Sequence, residues 1–224
     1  MKRLAMIALP LLTLSLCLSI ARAQEENANP DAAQAQTEEK QATPFTPLAI
    51  GNTWVYENKD DGIRSTDHVA GMVLFDDQPW YLVRTTETPI NPEDKAEPVV
   101  TELWLTHRDG VEADALVDID EDTFTLRLSS ENHFLRHPVK VGDTYASSKD
   151  DPTVRVEVLA VDQEVKTPAG TFACTVYRET IEGIDDYSFT AYLAPGVGIV
   201  RFTTESDGVR SWTDLVSFTL VEED

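Results

Sequence analysis

Ten segments of this chain alternate apolar and polar residues with a period of two, and turn residues stand between them. They are Thr53 to Tyr56, Val69 to Phe75, Trp80 to Thr86, Val99 to Thr106, Phe124 to Leu128, Val154 to Val158, Phe172 to Arg178, Tyr187 to Leu193, Ile199 to Thr204 and Val209 to Leu220. A period of two puts alternate side chains on opposite faces of a strand. One greasy face and one wet face is the habit of antiparallel sheets. The punctuation agrees. Asp61-Gly62, Asp109-Gly110 and Asp207-Gly208 each precede an aliphatic residue. Asp-Gly suits tight hairpins, because both central residues accept positive φ. Pro168-Ala169-Gly170-Thr171 marks a further reversal. No stretch of ten or more residues after position 44 carries a helical period, and parallel sheets need crossovers that are usually helical. The expected fold class is therefore all-β: an antiparallel meander of ten to twelve strands, forming a curved sheet or barrel.

The first 44 residues do not share that pattern. Met1-Lys2-Arg3 is basic, Leu4 to Ile20 is apolar or small, and Ala21-Arg22-Ala23 is a small–x–small cleavage site. This is the layout of a secretory signal peptide over residues 1–23. The apolar run is shorter than the ~20 residues of a spanning helix and contains Pro10, which argues against a retained anchor. Leu16 precedes Cys17 where a lipidated protein carries a small residue, which argues against a lipid anchor. Residues 24–44, rich in Gln, Glu, Asn and Ala with no aromatic, read as a disordered linker. Residues 45–224 are then a single all-β domain, exported to the periplasm or beyond, with no stable membrane insertion once the signal is removed.

Charge narrows the function further. The chain carries 40 acidic against 18 basic residues, and loss of the signal removes Lys2, Arg3 and Arg22 but no acid. Such a surface repels nucleic-acid phosphates and anionic headgroups. Nucleic acid is excluded as a partner class on that ground. Cleavage also removes Cys17 and leaves Cys174 alone, so burial rather than an internal disulfide must hold the fold. Alternation sets Cys174 beside Phe172 and Val176, in the manner of a buried, inert thiol.

An internal echo divides the domain. Pro47-Leu48-Ala49-Ile50-Gly51-Asn52-Thr53-Trp54 aligns with Pro138-Val139-Lys140-Val141-Gly142-Asp143-Thr144-Tyr145. Either the domain is two related halves, 45–137 and 138–224, or one turn is used twice.

Three segments carry a resemblance. Gly51-Asn52-Thr53-Trp54-Val55-Tyr56, Pro168-Ala169-Gly170-Thr171-Phe172 and Tyr192-Leu193-Ala194-Pro195-Gly196-Val197-Gly198-Ile199-Val200 together resemble a family of uncharacterised exported bacterial envelope proteins. These carry G-N-x-W-x-Y, P-A-G-T-F and Y-x-A-P-G-V-G-x-V motifs. The resemblance implies an exported all-β barrel or curved sheet, often lipidated, and brings no catalytic residues with it.

Chemistry-bearing motifs are otherwise missing. There is no G-x-S-x-G, no H-E-x-x-H, no P-loop and no paired C-x-x-C. His133 and His137 lie ~13 Å apart in a strand at ~3.3 Å per residue, too far to share a metal. Asp118 to Asp122 resembles the start of a calcium loop but has Thr123 and Ser129 where Gly and an acid belong, so it reads as a solvated acidic turn. The expectation is a non-enzymatic domain without metal or cofactor, binding a hydrophobic small molecule or lipid. Trp54, Tyr56, Trp80, Trp104 and Tyr192 are the candidate contacts. The alternatives are a structural partner of another envelope protein and a hydrolase with an unrecognised site.

Overall fold

The computed structural model describes residues 44–221, apart from 76, 109, 121–124 and 148–152. The expected signal peptide and all but the last residue of the expected linker lie outside the described residues. Twelve strands follow in order: β1 Thr53–Asn58, β2 Ile63–Phe75, β3 Gln78–Pro89, β4 Val99–Arg108, β5 Val111–Asp120, β6 Thr125–Arg136, β7 Thr144–Ala146, β8 Val154–Thr167, β9 Gly170–Ile181, β10 Ile184–Ala194, β11 Gly198–Ser206 and β12 Val209–Thr219. No helix occurs among the described residues. All strands join one antiparallel sheet in the order β6-β5-β4-β3-β2-β1-β12-β11-β10-β9-β8-β7.

That order is open: β6 and β7 are its two edges, and the gap between them is a seam. Every strand pairs with its neighbour in the chain except β6 with β7, and β1 pairs with β12. The sheet is curled, because Leu135 of β6 packs in one cluster with Val156 and Val158 of β8 and Tyr177 of β9. Those strands lie near opposite edges of the sheet.

The concave face holds the main core. Trp54, Tyr56, Val69, Val83, Val200 and Leu215 bury together, and the end of the β8–β9 hairpin adds Val165 and Cys174. Two bulges in that hairpin, between Val158 and Ala160 and between Ala160 and Gln163, reset the alternation there. The residues before β1 fill the interior as well. Leu48 enters the main cluster and Phe45 the second. Phe45 and Thr46 donate their backbone N–H groups to one oxygen of Glu112, at 2.7 and 3.1 Å. Glu112 is buried, and burial raises its pKa despite those two bonds.

The Asp-Gly turns are tight where they are described. At the β11–β12 turn Asp207 and Gly208 have φ of 52° and 72°, the two positive values a type I′ turn needs. At the β4–β5 turn Gly110 has φ of 74°, and its carbonyl accepts a 2.7 Å bond from the N–H of His137. A Cβ there would stand 2.1 Å from the His137 carbonyl oxygen. Gly110→Ala therefore combines left-handed strain of roughly 1–2 kcal/mol with a hydrogen bond of ~1 kcal/mol pushed apart. We expect a loss of about 3 kcal/mol in urea denaturation.

One local expectation is corrected. Asp118, Ile119 and Asp120 are not a turn but the last residues of β5. Val111 to Asp120 carries acids at 112, 114, 118 and 120, which disguised a strand as a solvated loop; pairing with β4 and β6 outweighs that propensity.

Candidate functional site

The five aromatic candidates do not converge. Trp54 and Tyr56 are core residues: the indole N–H donates to the Val197 carbonyl at 2.7 Å, and the Tyr56 hydroxyl to the Ile199 carbonyl at 3.0 Å. Trp80 and Trp104 sit one residue out of phase with Tyr81 and Leu105, so they occupy the opposite face of the sheet. There they form a small cluster with Val73, Phe75 and Ala113. Tyr192 is part-buried against the main core. Cys174 is fully buried, and burial pushes its thiol up to about 11. It is not a nucleophile at neutral pH.

What does converge is a set of acids and tyrosines. On β5, Glu112 and Asp114 share a face; on β9, Tyr177 and Glu179 share one. The curl of the sheet turns the two faces toward each other. Burial, reinforced by the charge of Asp114, pushes Glu179 up to about 7. Tyr187 is raised by burial and by Glu179, and Tyr145 mainly by burial, with Glu179 adding to it. Arg136, the last residue of β6, lies 4.4 Å over the Tyr145 ring, and its carbonyl accepts a 2.7 Å bond from the Tyr177 hydroxyl. The cluster therefore stands beside the β6–β7 seam.

Glu179 is the unusual member. Register sets it between Val156 of β8 and Phe189 of β10, and no hydrogen bond to its carboxyl is made among the described residues. The residue is half-buried, so its carboxyl is partly rather than fully withdrawn from water, and that withdrawal disfavours its charged form. Groups so perturbed by burial and a specific charge concentrate at functional sites. A second raised acid, Asp67, also faces the interior. Burial and the charge of Glu87 lift it to about 6, against a 2.7 Å bond from the Thr85 hydroxyl. Asp67 has its partner and reads as part of the core.

The outer face offers a smaller feature, a hollow of about 210 Å³ beside Trp212, Pro168 and Asp214. Its volume is below the ~300–1,000 Å³ of ordinary ligand pockets. Two of its three carboxylates are already paired, Asp214 with Arg201 at 2.5 Å and Glu57 with Arg64 at 2.5 Å. Among the described residues no group of three His, Cys, Asp or Glu is placed to hold a metal. His137 meets the edge of Phe45 at 5.2 Å, and the charge of His107 reaches it. The His133 side chain is outside the described residues.

Sequence reasoning missed Glu112, Asp114 and Glu179. Glu179 stands in phase with the buried Tyr177 two residues before it, whereas Glu112 and Asp114 alternate with Val111, Ala113 and Ala115, which face the other way, so the apolar pattern pointed away from them. On β9 both faces are buried from Cys174 to Tyr177, so alternation did not show which face was the interior.

No protein family and no curated protein matches this chain in sequence. Two solved structures match its fold. One is a protein of Bacteroides fragilis inferred to be exported and described as having a YmcC-like fold. It is 15% identical, with a TM-score of 0.54, covering 80% of this chain and 100% of that one. The other is a protein of Parabacteroides distasonis inferred to be a lipoprotein. It is 16% identical, with a TM-score of 0.51 and the same coverage. At these identities the likeness is one of fold: the chain is an all-β protein of YmcC-like architecture.

Proposed function

We propose that this protein is an exported, non-catalytic β-domain of the bacterial envelope that binds a small amphiphile in the acidic part of its interior. The carrying observation is Glu179, held near neutrality by burial and Asp114, without a hydrogen-bond donor, between Val156 and Phe189. A ligand that brings a hydroxyl, amine or ammonium to Glu179 and apolar surface to Phe189 satisfies both. Fatty acids and phosphate-bearing lipids fit poorly, since their charge repeats that of Glu179, Asp114 and Glu112. The signal-peptide layout of residues 1–23, and the descriptions of the two similar structures as an exported protein and a lipoprotein, support the envelope as the place of action.

The same pair favours one second reading. A raised Glu facing an Asp is the equipment of acid–base glycoside hydrolysis. Catalytic carboxyls, however, are normally oriented by supporting hydrogen bonds, and Glu179 has none among the described residues. That favours binding over catalysis.

Native mass spectrometry of the protein purified from its own envelope separates the readings. We expect a co-purifying neutral or cationic amphiphile that is lost from Glu179→Gln material. A wild-type protein that carries no ligand, together with turnover of a glycoside panel abolished by Glu179→Gln, would instead establish the hydrolase.

A further inference from the structure

The two clasps of the internal echo are the same structure. In the first, Gly51 N–H donates to the Val69 carbonyl at 2.9 Å, Asn52 N–H to Ala49 at 3.0 Å, and Val69 N–H to Asn52 at 2.9 Å. In the second, Gly142 N–H donates to Val158 at 2.9 Å, Asp143 N–H to Lys140 at 3.0 Å, and Val158 N–H to Asp143 at 2.9 Å. Both glycines have positive φ, 101° and 88°. Each clasp opens a six-stranded meander, β1 to β6 and β7 to β12, whose first strand pairs with its second. By this correspondence β7 is the counterpart of β1 and β6 the counterpart of β12.

The correspondence fails at one place. β1 pairs with β12 over its length, from Thr53↔Thr219 to Glu57↔Asp214. The equivalent pair, β7 with β6, does not form; the two strands are the edges of the sheet. β7 ends after three residues, Thr144–Ala146, where β1 runs for six. β6 keeps twelve residues, Thr125–Arg136, with a ladder on one side only. The Tyr177 hydroxyl bonds the carbonyl of Arg136 at the last residue of that strand, and the register above it has no strand opposite. A bare edge of this length is a template for pairing.

We infer that the free edge of β6 is a docking edge for an extended segment of another protein, which takes the place beside β6 that β1 takes beside β12. The segment that fits resembles β1 in pattern, aromatic or β-branched at alternate positions facing the interior. It carries no excess of acid, because the chain's charge of −22 repels acidic partners. The same repulsion disfavours a second copy. Residues 24–43 contain no aromatic or β-branched pair at alternate positions and do not supply such a strand. The inference is argued from strand pairing and does not need the ligand proposed at Glu179, although that cluster stands beside the same seam.

Hydrogen–deuterium exchange of the full chain tests it, with a synthetic ten-residue peptide alternating tryptophan and valine with lysine as probe. We expect the peptide to slow exchange of the β6 amides about tenfold. The same peptide N-methylated at every second residue, which removes the ladder bonds but not the charge or the side chains, should leave them unchanged. No slowing, or equal slowing by the methylated peptide, overturns the inference. So do β6 amides already as protected as those of β12 before peptide is added, whether in a monomer or in a dimer, since that means the edge is occupied by the protein itself.

Discussion

Glu179→Gln should make the protein more stable at pH 8 by roughly 2–3 kcal/mol. The figure follows from a carboxyl pushed from 4.5 to about 7, at ~1.4 kcal/mol per unit, reduced for the cost of keeping a buried amide. The direction follows from linkage. The folded state holds this proton more tightly than the unfolded chain. Below pH 4.5 both states are protonated and the site costs nothing. As pH rises from 4.5 through 7 the unfolded chain releases its proton first, and stability falls. Above 7 the folded protein bears the full penalty. Denaturant titrations of wild type and variant at pH 4.5, 6 and 8 should show the variant slightly the less stable at acid pH, by the cost of its buried amide, and increasingly the more stable as pH rises. Parallel curves at all three values would mean that Glu179 is not desolvated. His137 contributes with the opposite sign in both proteins. Burial and His107 hold its pKa below 6.5, so its share of stability is lost as pH falls beneath that value. It cancels from the comparison. A residue whose removal strengthens the fold while abolishing a bound ligand is the signature of a site retained for function at the expense of stability.

Trp54→Ala should cost about 4–5 kcal/mol, the largest loss we expect from any single core change. Truncating a buried tryptophan typically costs 3–5 kcal/mol, and here it also leaves the Val197 carbonyl without its 2.7 Å donor. The indole spans 143 residues of sequence in that one bond. It ties β1 to the β10–β11 turn, so the loss should reach both halves. Trp54→Phe separates the contributions. It keeps most of the packing and should cost ~1–2 kcal/mol, mainly the unpaired buried carbonyl. A midpoint shift in urea with unchanged slope is the expected readout. Equal losses for Phe and Ala would show that the hydrogen bond, not the packing, is the dominant contribution.

The pattern that made the fold legible was alternation, and it succeeded where one face of a strand is buried and the other wet. β1 and β12 are such strands, and alternation puts Trp54 and Tyr56 on one face, which the structure buries. Alternation failed where that condition fails. β5 carries acids on a buried face, so its ten residues did not read as a strand. β9 is buried on both faces through Thr175 and Val176, so phase gave no direction there. The site shares this cause. Glu179 and Asp114 are distant in sequence and meet only because the sheet curls, and curl leaves no period to detect. The aromatic candidates were misleading for a related reason. A tryptophan marks burial well but not what it is buried against, and Trp80 and Trp104 turned out to stand behind the sheet rather than inside it.

The pairing of β1 with β12 has a consequence for biogenesis. A polypeptide made from its amino end delivers its first ribbon long before the last, and the two must sit side by side at the centre of the sheet. Until the carboxyl end arrives, the greasy stretch around Trp54 has β2 on one flank and nothing on the other. Closure across so long a span of sequence is slow relative to local hairpins. The newly made chain therefore passes through an interval in which both meanders are drawn but unjoined, and it is then that a chaperone would have most to shield.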